Sequence, residues 1–421
     1  MTTPAARQRS APAVVLGFAV AALFAALGLL FSRPDVVAMG LVPAVLSGLA
    51  LTRRADSTDA RLSLRAVPGA SADGSLHTEI LVTGDAEAAD VVVVQSERRR
   101  RHLLVPTGGR PVLAVSRALH SGPIAAVRAS ARGFAIDGAI LGETTGTAEL
   151  VCNVAPVAHP LAVLPTSARL TGMHGAHEGR RPGQGGDFRD IHAFVPGDEL
   201  RRVDWRATAR LARRPGDLLV RRTNTLSDMT VVIALDTADD LGEAVATWGS
   251  GDLERSGATS LDLARQAARS IANAAVATGD RVALHELTFG GRSVRSGAGH
   301  RHLARVEAAI AATGQAAEDA RYLRTPPVPH GSVIFVLSTF FDGAASDVAL
   351  RWRASGHRVV AVDVLPALDR RRLSREQALA LRAVLAERDD VLHDLDGAGV
   401  DTVAWRGEAD VLLRTMERTR R

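Results

Sequence analysis

The densest set of groups that could do chemistry lies between Gly172 and Arg222. Asp198, Arg201, Asp204 and Arg210 are spaced so that carboxylates and guanidinium forks can pair. Trp205, among them, offers a flat ring on which an arginine can stack. Pro196-Gly197-Asp198 is a strong turn signal. Other sets are poorer. Cys152 is the only cysteine and sits in an apolar, strand-like run, where a buried inert thiol is expected rather than a nucleophile. His174 and His177 have a metal-like spacing but no accompanying Cys or Glu set. Gly183 to Gly186 is glycine-rich, yet a phosphate loop needs Gly-Lys-Ser/Thr and the chain contains no Lys. These residues point away from nucleophilic, zinc and phosphate-loop catalysis, so the expectation is a chain that is not an enzyme.

The elements that must position these groups come in two kinds. From Arg61 to about Pro165, short apolar stretches such as Val91 to Val94 and Pro111 to Val115 are broken by turn residues. Strands at this spacing predict a small antiparallel β-domain over 61–165, a sandwich in form. From about Thr230 the pattern alternates. Met229 to Leu235 reads as a buried strand ending at Asp236. Thr259-Ser260-Leu261-Asp262 can cap a helix that Gly279 stops. Arg281 to Phe289, Ser332 to Leu337 and Arg358 to Val364 read as strands. His302 to Ala312, Asp347 to Ser355 and about Ser374 to Glu387 read as helices. Such alternation predicts an α/β fold with a parallel sheet covered on both faces, here over 229–370 with a helical tail over 371–421. Sites in these sheets lie at the carboxyl ends of strands, where Asp236 and Asp342 fall.

The 421 residues are enough for about two domains and an anchor. Apolar residues make up 46% and aromatics 4%, so Val, Leu, Ala and Ile must build the core. A single cysteine rules out an intrachain disulfide. All 51 basic residues are Arg, and 46 acidic residues are interspersed among them. A nucleic-acid binder would gather its charge on one face with stacking aromatics, so no nucleic-acid partner is expected. The one basic run, Arg98 to Arg101, reads as a solvated turn, or as a contact to an anionic lipid surface.

Ala11 to Phe31 is apolar and uncharged, long enough as a helix to cross a hydrocarbon core of roughly 30 Å. Ser32-Arg33-Pro34-Asp35 interrupts it, and Val36 to Leu51 is a second, shorter run containing Pro43. A pair of helices spanning 11–52 is the reading, since lipid tolerates only backbones satisfied within the segment. Arg7 and Arg9 precede the pair, and Arg53, Arg54, Arg61 and Arg65 follow it. The positive-inside rule then puts residues 1–10 and the soluble domains in the cytoplasm of an inner-membrane protein.

The segment 166–228 carries a resemblance. Gly183-Gln184-Gly185-Gly186-Asp187-Phe188, followed by Phe194 through Pro196-Gly197-Asp198-Glu199-Leu200-Arg201 to Asp204-Trp205 and Ala209-Arg210, resembles the signature of the family of unknown function called DUF58. Gly279-Asp280-Arg281-Val282, Leu337 to Asp342 and His357 to Val362 resemble its later stretches. The resemblance covers about 160 to 370 and brings no catalytic residues. It implies a von Willebrand factor A-like α/β domain in a membrane-anchored, non-catalytic adaptor. The implied protein partner is a MoxR-type AAA+ ATPase. Such domains hold Mg²⁺ through an Asp-x-Ser-x-Ser motif after the first strand, completed by a Thr and an Asp from later loops. Here the motif reads Asp236-Thr237-Ala238-Asp239-Asp240. Asp236, Asp240 and Asp342 could supply an altered oxygen shell, but Ala238 cannot coordinate. Mg²⁺-dependent ligand binding and a purely structural scaffold are the alternatives to the adaptor.

Overall fold

The computed structural model describes residues 9–10, 12–52, 59–67, 74–95, 99–135, 140–167, 177–214, 216–248, 255–317, 325–405 and 413. The chain forms two compact units, Met1–Leu119 with Pro123–Cys152, and His120–Gly122 with Asn153–Arg421.

In the first unit, strand β1 (Arg9–Ser10) leads within one residue into helix α1 (Pro12–Leu30), and α2 (Pro34–Thr52) follows. Pro12 and Pro34 stand at first helical positions, where an N–H would have no helical partner anyway. Pro34 therefore opens α2 instead of breaking the chain before Val36, and Asp35 sits in the first turn at the positive end of the helix dipole. Ala13–Leu30 is long and apolar enough to cross a membrane, whereas the apolar part of α2, Pro34–Ala50, is shorter. The two helices run side by side in opposite directions. A Cβ on Gly40 would lie 2.9 Å from the Ala21 carbonyl, an approach that glycine permits.

Eight further strands follow: β2 (Arg61–Ala66), β3 (Ser75–Thr83), β4 (Ala88–Gln95), β5 (Arg99–Pro106), β6 (Val112–Arg117), β7 (Gly122–Phe134), β8 (Ile140–Thr144) and β9 (Ala148–Val154). One antiparallel sheet has the order β2-β3-β6. The other has the order β1-β8-β7-β4-β5, with β9 also on β7. Ile80, Val82 and Ala114 of the first pack with Val91, Val93, Val127 and Ala129 of the second. Alternating apolar residues thus seal one face of each sheet, as the sequence spacing predicts. The unit ends sooner than Pro165, however. Leu161 and Leu164 belong to the core of the second unit.

The second unit holds a six-stranded sheet of β12 (Thr230–Leu235), β13 (Arg281–Glu286), β14 (Ser293–Gly297), β15 (Val333–Ser338), β16 (Arg358–Asp363) and β17 (Asp401–Ala404). A two-stranded ribbon of β10 (His177–Ala193) and β11 (Leu219–Ser227) precedes it. The sheet order is β14-β13-β12-β15-β16-β17, parallel except for β14. Helices α4 (Ser260–Ala277) and α5 (His300–Ala312) cover one face. Helices α6 (Ala344–Ala354) and α7 (Arg375–Gly397) cover the other. Val231, Ile233 and Leu235 face the first pair while Val232 and Ala234 face the second. A strand buried on both faces needs that unbroken apolar run. The α4 cap forms as expected: Thr259 and Asp262 make a reciprocal capping box.

Two domain bounds need correction. The helix expected to end near Glu387 continues to Gly397, and the chain then adds β17 to the sheet edge. Leu413 is also buried in this core. The α/β domain therefore runs past 370, and residues 371–405 with Leu413 are part of it rather than a helical tail.

Candidate functional site

Two places in the second unit gather the residues singled out in the sequence. The first is the ribbon. Between β10 and β11 the chain turns at Pro196-Gly197-Asp198, makes one 3₁₀ turn (Leu200–Arg202), and forms the short helix α3 (Trp205–Leu211). Gly197 has φ of 108°, a conformation that suits glycine. Asp198 closes this turn by accepting the Val195 N–H at 2.9 Å, and His192 Nε2 lies 2.9 Å from the same oxygen. The Val195 N–H is the largest cause that holds the Asp198 carboxyl below its ordinary range. Asp204 caps α3, accepting from the Arg206 and Ala207 N–H groups at 3.1 and 2.9 Å. Val203 bridges to Val220, so the segment folds back onto the ribbon.

The expected pairing among Asp198, Arg201, Asp204 and Arg210 does not occur. Asp198 takes His192, Arg201 takes Glu199 at 2.6 Å, Asp204 is spent on the helix cap, and Arg210 has no ion pair among the described residues. These charges are local and water-screened, so they stabilise little. No arginine stacks on Trp205 among the described residues. The stacking pair on the ribbon is Arg221 over Phe188, 5.1 Å from the ring centre. Instead Trp205, Leu200 and Leu211 stand 67%, 66% and 66% exposed, with Val195 and Phe188 also exposed. Arg201, Arg206, Arg210, Arg213 and Arg214 are exposed along the same segment. Large apolar side chains in such a concentration, rimmed by charge, mark interaction surfaces.

The second place is the carboxyl edge of the sheet. The order of strands reverses between β12 and β15, which opens the crevice where open α/β sheets place their sites. Asp236 follows β12, Ser338 ends β15, and Thr339-Phe340-Phe341-Asp342 follows it. Asp236 Oδ2 accepts the Ser338 hydroxyl at 2.6 Å, and its Oδ1 accepts the Ala238 N–H at 3.1 Å. Asp239 accepts the Thr339 hydroxyl at 3.0 Å. Asp236, Asp239 and Thr339 line a small pocket with Ser260, Leu261 and Val364. Burial is the largest cause that pushes the Asp236 carboxyl up to about 6, the Ser338 hydroxyl opposing it and the charges of Asp342 and Asp239 adding to it. Burial likewise raises Asp239 and Asp240.

The loop after β15 is fixed from below. Arg388 of α7, 5% exposed, donates Nε–H to the Thr339 carbonyl at 2.6 Å and pairs with Asp363 at the end of β16. Its guanidinium also lies over the Phe341 ring, 5.5 Å from the centre. Phe340, fully buried, takes φ of 58°, a strained value for a bulky residue. Its N–H is held by the Ser338 hydroxyl at 2.8 Å.

The donor set does not fit the implied Mg²⁺. That ion demands near-octahedral oxygens. Ala238 supplies none. Asp240 is turned to the start of α4, where it accepts from Leu261 N–H and Thr259. Asp342 is exposed and caps its own loop through the Ala344 N–H at 3.1 Å. Among the described residues no three His, Cys, Asp or Glu side chains group as a metal site. The structure brings Asp239, Ser338 and Thr339 to Asp236 instead. Sequence reading missed these three; only the position of Ser338 and Thr339 at a strand end could have flagged them.

The remaining candidates have structural partners. His177 pairs with Asp280. His174 lies outside the described residues. Gly183 is paired with Thr223 within the ribbon. Cys152 lies partly buried in β9, and burial pushes its thiol up. Arg99 to Arg101 begin β5, the edge strand four places from β1.

Residues 190–377 match the model of a family described as protein of unknown function DUF58. The chain is similar to the uncharacterized proteins Mb1516 of Mycobacterium bovis and MT1527 and Rv1480 of Mycobacterium tuberculosis. Each is 25% identical over 267 residues, spanning 57% of this chain and 80% of the relative. No solved structure matches the chain.

Proposed function

We propose that this chain is a membrane-anchored, non-catalytic adaptor whose ribbon docks a protein partner, a MoxR-type AAA+ ATPase being the partner the family resemblance suggests. The observation that carries the reading is the exposed set Val195, Leu200, Trp205 and Leu211 with its arginine rim. Desolvating Trp and Leu supplies affinity, and arginines at the rim select an acidic counterpart. The family match begins at residue 190, inside this ribbon.

Two spans support the anchor better than one. β1 precedes α1, yet pairs with β8, which follows α2. Strands of one sheet must lie on the same side of a bilayer. A chain that crosses through α1 must therefore return before β2, and α2 is the segment available. At 1.5 Å per residue its 19 residues extend about 28 Å, close to the hydrocarbon thickness. Leu41, Val42, Val45, Leu46 and Leu49 of α2 are exposed, as lipid contact requires. The flanking arginines put the soluble units in the cytoplasm of an inner-membrane protein. The von Willebrand factor A-like fold that the family resemblance suggests, with the internally bonded carboxylates of the Asp-rich carboxyl edge, suits a binding module more than an enzyme.

The test is capture of a purified MoxR-type AAA+ ATPase by the full-length protein in detergent. Trp205→Ala with Leu200→Ser should abolish capture while the melting temperature holds, and rising salt should weaken capture by the unmodified chain. Undiminished capture by the folded double variant would remove the ribbon as the contact.

A further inference from the structure

In this chain, the room that a cation would take is bridged from both sides by hydroxyl donors. The Ser338 hydroxyl gives its proton to Asp236 and receives the Phe340 N–H. The Thr339 hydroxyl gives its proton to Asp239. Two loops, one after β12 and one after β15, are thus joined by two hydroxyl–carboxylate bonds across the switch of the sheet. The joined loop contains the strained Phe340, and the Thr339 carbonyl is drawn to Arg388 on the other side. A cation at Asp236 and Asp239 would need their lone pairs and would compete with both hydroxyls for them. Ser338 would then have to turn, freeing the N–H of the fully buried Phe340.

We infer that these bonds form a cation-independent latch. Asp236–Ser338 and Asp239–Thr339 hold the β15 loop in its strained turn, and divalent metal contributes nothing to it. This inference is separate from the docking role of the ribbon. It concerns residues 236–239 and 338–342 alone.

Two measurements test it on the full chain in detergent. The first is a thermal melt with Mg²⁺, Mn²⁺ or Ca²⁺ added to millimolar concentration. The expected result is an unchanged midpoint with each ion. A saturable rise that Asp236→Asn abolishes would overturn the inference. The second is hydrogen exchange of the backbone amides of residues 338–342. Ser338→Ala and Thr339→Val should each speed exchange there by about tenfold, the loss of one hydrogen bond, and leave β12 and β15 protected. Exchange at the unmodified rate in both variants would equally overturn it. Should Ser338→Ala fail to fold, Thr339→Val and the metal titration still decide.

Discussion

Asp280 has no exposed surface, and His177 Nε2 lies 2.8 Å from its Oδ2. The same carboxylate accepts the Met229 N–H at 2.9 Å and the Thr278 hydroxyl at 2.7 Å. His177 opens β10, and Met229 lies two residues past the end of the second ribbon strand, so one buried group fastens both legs of the ribbon to the start of β13. Asp280→Ala removes an acceptor from three groups at once and leaves the N–H of the buried Met229 without that acceptor. It should lower unfolding free energy by about 3–5 kcal/mol, read from the urea midpoint. Asp280→Asn, which keeps shape and an acceptor, should lose clearly less. Equal small losses in the two variants would show that the carboxylate is not the fastening.

How far such a site can be read from sequence depends on the range of its interactions. The α4 cap was legible because Thr259 and Asp262 are three residues apart and satisfy each other. The strands β12 and β15 were legible because both their faces are buried, which leaves only apolar letters. The ribbon was not, since β10 is rich in Gly and Arg and its register slips, so no alternation survives. The last turns of α7 were hidden by Asp389, Asp390, Asp394 and Asp396. Their charge masks the inward row of Val391, Leu392 and Leu395. β17 is four residues long, too short for any period. At the carboxyl edge, motif spacing singled out Asp240. The direction in which the chain leaves β12 decides otherwise, turning Asp240 to α4 and Asp239 to Thr339. Pairings across 100 residues, such as that one, leave no local signal.

Asp236 gives a pH dependence with a definite sign. Its folded carboxyl titrates near 6, above the ordinary aspartate value near 4. Between those values the folded state binds the proton that the unfolded chain has released. Stability from this group therefore falls as pH rises through about 4 to 6, by on the order of 2 kcal/mol. Asp236→Asn cannot titrate. The stability of the variant minus that of the unmodified chain, from urea unfolding at several pH values, should increase across that window and level off above it. Any constant effect of the amide on the Ser338 bond drops out of this difference. Parallel curves would place the carboxyl at an ordinary value.

On the ribbon, two neighbours should behave oppositely. Asp204 satisfies two N–H groups at the start of α3, and Asp204→Ala should cost about 1 kcal/mol with faster amide exchange in Trp205–Leu211. Trp205 is exposed and makes no cap. Trp205→Ala should change stability by no more than about 0.5 kcal/mol, while removing much of the docking energy proposed for the ribbon. A Trp205→Ala protein that melts far below the unmodified one would mean that the ring is packed rather than presented.

The proposed return of the chain across the membrane rests on β1, and a cross-link tests it directly. Arg9 and Leu141 lie opposite one another in the β1–β8 pair. Directly opposed residues of antiparallel strands are about 4.5–5.5 Å apart at Cα, within the range a disulfide bridges. Cys152 would be replaced by Ser first, so that the introduced thiols are the only ones. Arg9→Cys with Leu141→Cys should then oxidise to an intramolecular disulfide in membranes, seen as a mobility shift that reductant reverses. Arg9→Cys with a cysteine at Glu149, away from β1, should not. Formation of the first bond requires residue 9 and the soluble β-unit to share one side of the bilayer, which a single crossing forbids. Failure of oxidation, with residue 9 and residue 141 labelled by impermeant reagents from opposite sides, would leave α1 as a lone span.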